Sequence, residues 1–413
     1  VSGVAVGQER PVLTGDVTTK PTRLSGVDVA RGVAVLGMYA SHLGPNPLEG
    51  WLGTAFLPFE GRSAALFAVL AGVSIALMSG GREPRSGIDR TRVSMRLALR
   101  APFLLAFGLA LTWLDTSYLV ILAYYGACFV LVIPFLRLGV RGLAGLAVGT
   151  AIAFPLTSFW IRAEIAPRDL LLLWPDIRPE MFADGTGLDG FLLALLVTGT
   201  FPALNLMTYI FAGMAIGRLD LTSSPVCRRL LAGGAALAAL AYTASWAATD
   251  LLGGREAIEA TLAGQAAAAG MSPAEYFTTH AMSIHGTPPT TTLAYELVAT
   301  PHSYTPFDFL GCIGVAAAVI GGCQLLAARL PRATRPLADL GSVILSAYVL
   351  HFVAIWIIWR DDPSFGVGNF LWFAVAALVA AVLWKRWASR GPFEGFLHVV
   401  STWPTRALLG SRR

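Results

Sequence analysis

ARGVAVLGMYASH, residues 30–42, decides how this sequence folds. From Gly32 to Ser41 it is a run fit for a bilayer, yet an arginine precedes it and a histidine closes it. The eleven positions from Arg31 to His42 make close to three turns at 3.6 residues per turn, and about 16 Å of helix axis. Both side chains therefore share one helix face at two depths. A guanidinium within a membrane helix costs roughly 2.5–3.5 kcal/mol on insertion scales, so it calls for a partner. Asp28, three positions earlier, faces the same way and can pair with it. The plainer alternative is an interfacial ion pair that snorkels, with a histidine at the outer surface. Spacing alone leaves both open.

The rest of the chain has the same character. Of its 413 residues 55% are hydrophobic and 13% charged, against about 25% charged in soluble domains. A spanning helix needs about 20 mainly apolar residues. Such stretches recur at roughly 26–45, 61–79, 95–114, 117–136, 142–162, 190–217, 229–251, 305–328, 337–359 and 367–388. The expectation is an all-α, polytopic membrane protein of about ten transmembrane helices. In 190–217, Gly199 and Pro202 can divide the run into a short or re-entrant piece and a full span. Residues 1–26 lack the apolar core and cleavage site of a signal peptide, so the first run is expected to remain as an uncleaved helix.

Arginines gather in alternate connections, most densely in GGREPRSGIDRTRVSMRLALR, residues 80–100. The positive-inside rule then puts both termini in the cytoplasm of a cell-membrane protein. The net charge of +5 is explained by orientation, which argues against nucleic acid as a partner. The four cysteines have no metal or disulfide spacing and read as small buried residues. Two long connections fall on the outer side, about 163–189 and about 252–304. The second holds His280, His285 and His302 and reads as one or two short helices over the membrane.

Arginine, ten residues, histidine on a first helix resembles the signature of the acyltransferase-3 family of membrane enzymes. RLSGVDVARGVAVLGM (23–38) and FEGRSAALFAVLAGVSIAL (59–77) resemble the catalytic domain of heparan-α-glucosaminide N-acetyltransferases and their bacterial relatives. GTFPALNLMTYIFAGMAIGRLD (199–220), TPHSYTPFDFLGCIGVAA (300–317), LSAYVLHF (345–352) and RGPFEGFLHVV (390–400) resemble a C-terminal domain of unknown function that many bacterial members carry. The likeness covers about 23–400. It divides the chain into a polar cytoplasmic N-terminus (1–25), an acyltransferase-like membrane domain (26–220), a C-terminal membrane domain (221–400) and a basic tail (401–413). It departs in one place. The human-type enzyme has its catalytic histidine in the loop after the first helix and asparagine where His42 stands. The loop here, LGPNPLEGWLGTAFLPFEGR (43–62), has no histidine.

The resemblance implies acyl transfer from cytoplasmic acetyl-CoA or another acyl-CoA to a sugar or glycolipid of the envelope. Acyl-CoA is then a co-substrate, with no bound cofactor and no metal, and a homodimer is left open. A neutral histidine suits general-base work, and His42 is its candidate. Arg31, with Asp28, would lie along the route of the pantetheine arm. Arg96 and Arg100 would hold the nucleotide phosphates, although orientation alone also explains them. Arg62 is a candidate donor to the oxyanion, and Glu60 could orient His42 or pair with Arg62. His351, deep in a span, is functional by default or else a neutral imidazole bonded between helices. His302 would cap the site from outside. Tyr348 and Asn205 are inward polar candidates, AYYGACF (123–129) reads as helix packing, and His398 as structural. A transporter or flippase of a polar or lipid-linked molecule could use the same intramembrane residues.

Overall fold

The computed structural model describes residues 24–116, 118–165, 177–182, 185, 187–281, 284–286, 288–359 and 365–410. Nearly all of the expected N-terminal segment, much of the 163–189 connection and the end of the tail lie outside them. The secondary structure of the described residues is helical throughout. α1 (Ser25–Leu43), the short α2 (Gly50–Phe56) and α3 (Arg62–Met78) open the fold. α4 (Gly87–Trp113), α5 (Leu122–Leu131), α6 (Val140–Ile165), α7 (Gly187–Leu193) and α8 (Ala203–Gly217) follow. α9 (Ser224–Trp246), α10 (Gly254–Ala268), α11 (Pro273–Ala281) and α12 (Pro306–Arg329) come next. α13 (Pro331–Gly341), α14 (Ile344–Trp359), α15 (Val367–Trp387) and α16 (Pro392–Leu409) complete it.

Among the described residues, six helical stretches are long and apolar enough to cross a membrane, and two bent pairs raise the number to eight if each is one crossing. This is a multi-pass membrane protein. Each of the expected segments has a helical counterpart, but two fall short as spans by composition or length. Asp28, Arg31 and His42 lower the hydropathy of α1, and α5 is a short apolar helix. Residues 187–198 meet α8 at 43°, at the break expected from Gly199 and Pro202. The 64° bend between α13 and α14 was not legible in the apolar run.

The polar helix is the buried one. α1 packs against α3, α12, α13 and α15, whereas α9 and α15 turn Leu240, Leu371, Val375 and Val379 outward as a lipid-facing belt. Its fit to α13 is backbone on backbone. A Cβ at Gly341 would fall 1.8 Å from the Asp28 carbonyl, and one at Gly32 would fall 2.2 Å from the Leu337 carbonyl. Such small-residue contacts are how membrane helices approach closely, and this one fixes the turn that carries Asp28 and Arg31. The main core mixes residues from both sides of position 220. A second, smaller core of Ile258, Leu262, Phe277, Tyr295 and neighbours holds α10 and α11 together, in the connection expected to form short helices.

Candidate functional site

Two cavities inside the bundle share part of their walls. The first, of about 410 Å³, is lined by Arg31, Ser74, Arg100, Tyr125, Arg390 and His398 among others. The second, of about 330 Å³, is lined by Ser41, His42, Glu60, Ser63, His285 and His302 among others. Phe67, Ile121 and Tyr348 belong to both walls. The Tyr348 hydroxyl accepts a hydrogen bond from the Ile121 amide at 3.2 Å, which makes these residues a septum.

The first cavity is cationic because its one lining carboxylate serves elsewhere. Glu394 accepts from the Leu345 amide at 2.6 Å and the Ser346 amide at 3.1 Å. It caps the start of α14, where a negative charge complements the helix dipole. Arg31 donates to Asp28 at 2.7 Å and to Ser74 at 2.6 Å, an ion pair that neutralises it, so the net positive charge of the wall comes from Arg100 and Arg390. Arg100 is anchored by Ser401 at 3.0 Å. Burial lowers the proton affinity of His398, and Arg390, Arg100, Arg96 and Arg406 lower it further.

The second cavity holds two histidines in its wall beside His42, which pairs with a fourth imidazole behind it. His42 Nδ1 lies 3.1 Å from His351 Nε2, and His351 Nδ1 bonds the Tyr348 carbonyl. A carbonyl can only accept, so His351 Nδ1 carries the hydrogen. In a neutral imidazole Nε2 is then the acceptor, so His42 Nδ1 donates to it and His42 Nε2 keeps its lone pair. One backbone carbonyl thus sets the tautomer of both rings. Tyr118 stacks on His42 at 4.6 Å and Phe352 meets it edge-on at 5.7 Å, which holds the ring plane.

No protein-family model and no curated protein matches this chain.

The structure unites several residues singled out from the sequence and separates others. Arg31 and Arg100 line the first cavity, with Asp28 behind Arg31 as its ion-pair partner, and His42 and His302 line the second. His351 backs His42 from the side of Tyr39 and α15. Arg96 stands one turn from Arg100 and outside the wall. Asn205 is buried but lines neither cavity. Arg62 points elsewhere. It donates to the Tyr242 hydroxyl at 3.1 Å and the Glu60 carbonyl at 3.1 Å, and lies over the Tyr242 ring. A guanidinium out of water needs such partners, and Tyr242 on α9 supplies a hydroxyl and a ring. Sequence reasoning missed Arg390 and His285, took His398 as structural, and took the stretch containing Tyr125 as packing. Only the tertiary fold brings the α16 region against α4, and no periodicity marks a histidine in an irregular loop.

Proposed function

We propose that this protein is a membrane acyltransferase that moves an acetyl or other short acyl group from acyl-CoA to a sugar or glycolipid on the opposite side. It crosses the membrane ten times with both termini in the cytoplasm, so the cationic cavity opens inward. The observation that carries this reading is the pair of cavities that share part of their walls, guanidiniums in one and a base with a fixed tautomer in the other. The polyanionic nucleotide binds Arg100 and Arg390, with Arg96 nearby. The thin pantetheine arm passes Arg31 and Tyr125, and the thioester reaches the septum.

In the second cavity an acceptor hydroxyl or amine gives its proton to His42 Nε2 as its oxygen or nitrogen attacks the thioester carbonyl. The tetrahedral intermediate collapses, the C–S bond breaks, and the thiolate leaving group takes the proton. His42 Nδ1 keeps its hydrogen throughout, and its bond to His351 strengthens as His42 gains charge. General-base catalysis of this kind contributes about 10²–10⁴-fold.

The test uses purified full-length protein and acetyl-CoA labelled in the acetyl group. Acetyl-CoA should raise the melting temperature, since a ligand of the folded state stabilises it, and label should pass slowly to water or to an added sugar. Absence of both effects, together with flux of an unmodified polar solute, would instead support a transporter.

A further inference from the structure

Across the second cavity from His42 runs a strap, residues 301–305, that leads into α12. His302 (φ 58°) and Tyr304 (φ 54°) both hold left-handed backbone. Residues with bulky side chains persist there only under outside restraint. One restraint, at Tyr304, comes from Asp308, a carboxylate only 2% exposed to which the proposed chemistry gives no task. It accepts from the Tyr304 amide at 3.2 Å, the Cys312 thiol at 3.2 Å and the Tyr209 hydroxyl at 3.4 Å. Asp308 is the third residue of α12 and closes a capping-box-like pair with Thr305, whose hydroxyl accepts from the Asp308 amide at 3.2 Å; here the carboxylate reaches one residue further back, to Tyr304, and its bonds to Tyr209 and Cys312 go beyond capping.

The restraint reaches both imidazoles of the roof. The His302 carbonyl accepts from the Gly286 amide at 2.8 Å, and the His302 and His285 rings stack at 5.1 Å. Gly61 (φ 70°) forms the bed of the strap, where a Cβ would fall 2.9 Å from the His302 nitrogen.

We propose that Asp308 is the positioning residue of the second cavity. It fixes Tyr304 and thereby His302, and through His302 it fixes His285, so that two imidazoles face an acceptor held opposite His42. Asp308 itself touches no substrate. Three imidazoles with Ser41, Ser63 and Glu60 suit a polyhydroxyl acceptor, a point that rests on reading this cavity as the acceptor site.

The test compares wild type with Asp308→Ala and Asp308→Asn in three measurements on the full-length protein. Amide exchange at Tyr304 should quicken about ten-fold on loss of a charged hydrogen-bond partner, with α1 and α3 unchanged. Labelling of His302 and His285 by diethyl pyrocarbonate should quicken with it. With methyl glucoside as acceptor probe, kcat should fall while KM for acetyl-CoA stays constant, and in a His302→Ala background Asp308→Asn should cost nothing further. Unchanged exchange and labelling would overturn the proposal, as would a kcat loss that adds fully to that of His302→Ala. If wild type turns over no acetyl-CoA, the acyltransferase reading fails, while exchange and labelling still decide the role of Asp308. Should Asp308→Ala not fold, the isosteric Asp308→Asn carries the test.

Discussion

The two cavities differ in what their walls do with charge. At the first the guanidiniums of Arg31, Arg100 and Arg390 converge, and the single lining carboxylate is spent on the start of α14. At the second, imidazoles and hydroxyls converge around one carboxylate, Glu60. Fixed positive charge holds an anion still, whereas an imidazole chain moves a proton. Arg218 marks the contrast from a third side. Its guanidinium donates to the Leu136 and Gly81 carbonyls at 2.8 Å, the Ala76 carbonyl at 3.0 Å and the Ser79 hydroxyl at 3.0 Å. A cation saturated by backbone is a structural tie, and a cation on a cavity wall is available to a ligand.

The sharpest way to break the comparison is to remove the base and keep the cations. His42→Ala should lower acetyl turnover by about 10²–10⁴-fold and leave thermal stabilisation by acetyl-CoA intact. Loss of that stabilisation would mean that the cavities do not divide the work. His351→Phe comes next, because it deletes the acceptor that orients His42. Turnover should fall roughly ten- to hundred-fold, the cost of one buried donor left unpaired, again with KM for acetyl-CoA unchanged. On the other wall, Arg390→Ala should raise KM for acetyl-CoA about ten-fold with little change in kcat, the pattern of lost uniform binding. A fall in kcat without a KM effect would assign Arg390 to the chemistry and erase the contrast.

The smallest effect concerns charge outside both cavities. Glu296, in the connection before α12, is pushed up to about 7 by burial, against the opposing pull of Arg162. The folded protein therefore holds a proton that the unfolded chain gives up above the usual carboxylate range. This contribution to stability is complete below the unfolded value and is lost as pH rises through about 7. Glu296→Gln should accordingly raise the melting temperature at pH 8 by a few degrees and leave it nearly unchanged at pH 5. Equal shifts at the two pH values would show that Glu296 does not titrate in this way.

The membrane fold was legible because lipid imposes one rule: backbone groups must be satisfied within each segment. Long apolar runs therefore mark helices whatever their neighbours, and the Pro202 break was readable by the same logic. The 64° bend between α13 and α14, both of which pack against α1, was not, since no Gly and Pro pair such as Gly199 and Pro202 falls within the apolar run to announce it. At the site, local spacing carried Asp28, Arg31 and His42, because i, i+3 and three-turn relations live within one helix. The pairing of His42 with His351 spans 309 positions and needed the fold, as did the convergence of Arg390 with Arg100. Arg62 shows the reverse case, a polar residue whose partners its position alone did not show. Its place at the start of α3 pointed toward the acceptor, but Tyr242 on α9 offers a hydroxyl and an aromatic face, and the guanidinium takes both.

The central claim is that a donor held at one cavity meets an acceptor held at the other, across the septum of Phe67, Ile121 and Tyr348. Proteoliposomes supplied with acetyl-labelled acetyl-CoA on one face only test it most directly. The account predicts that label appears as acetate or acetylated sugar in the opposite compartment, that free CoA stays on the donor side, and that His42→Ala stops both. Label and CoA recovered on the same side, or turnover that survives His42→Ala, would contradict it.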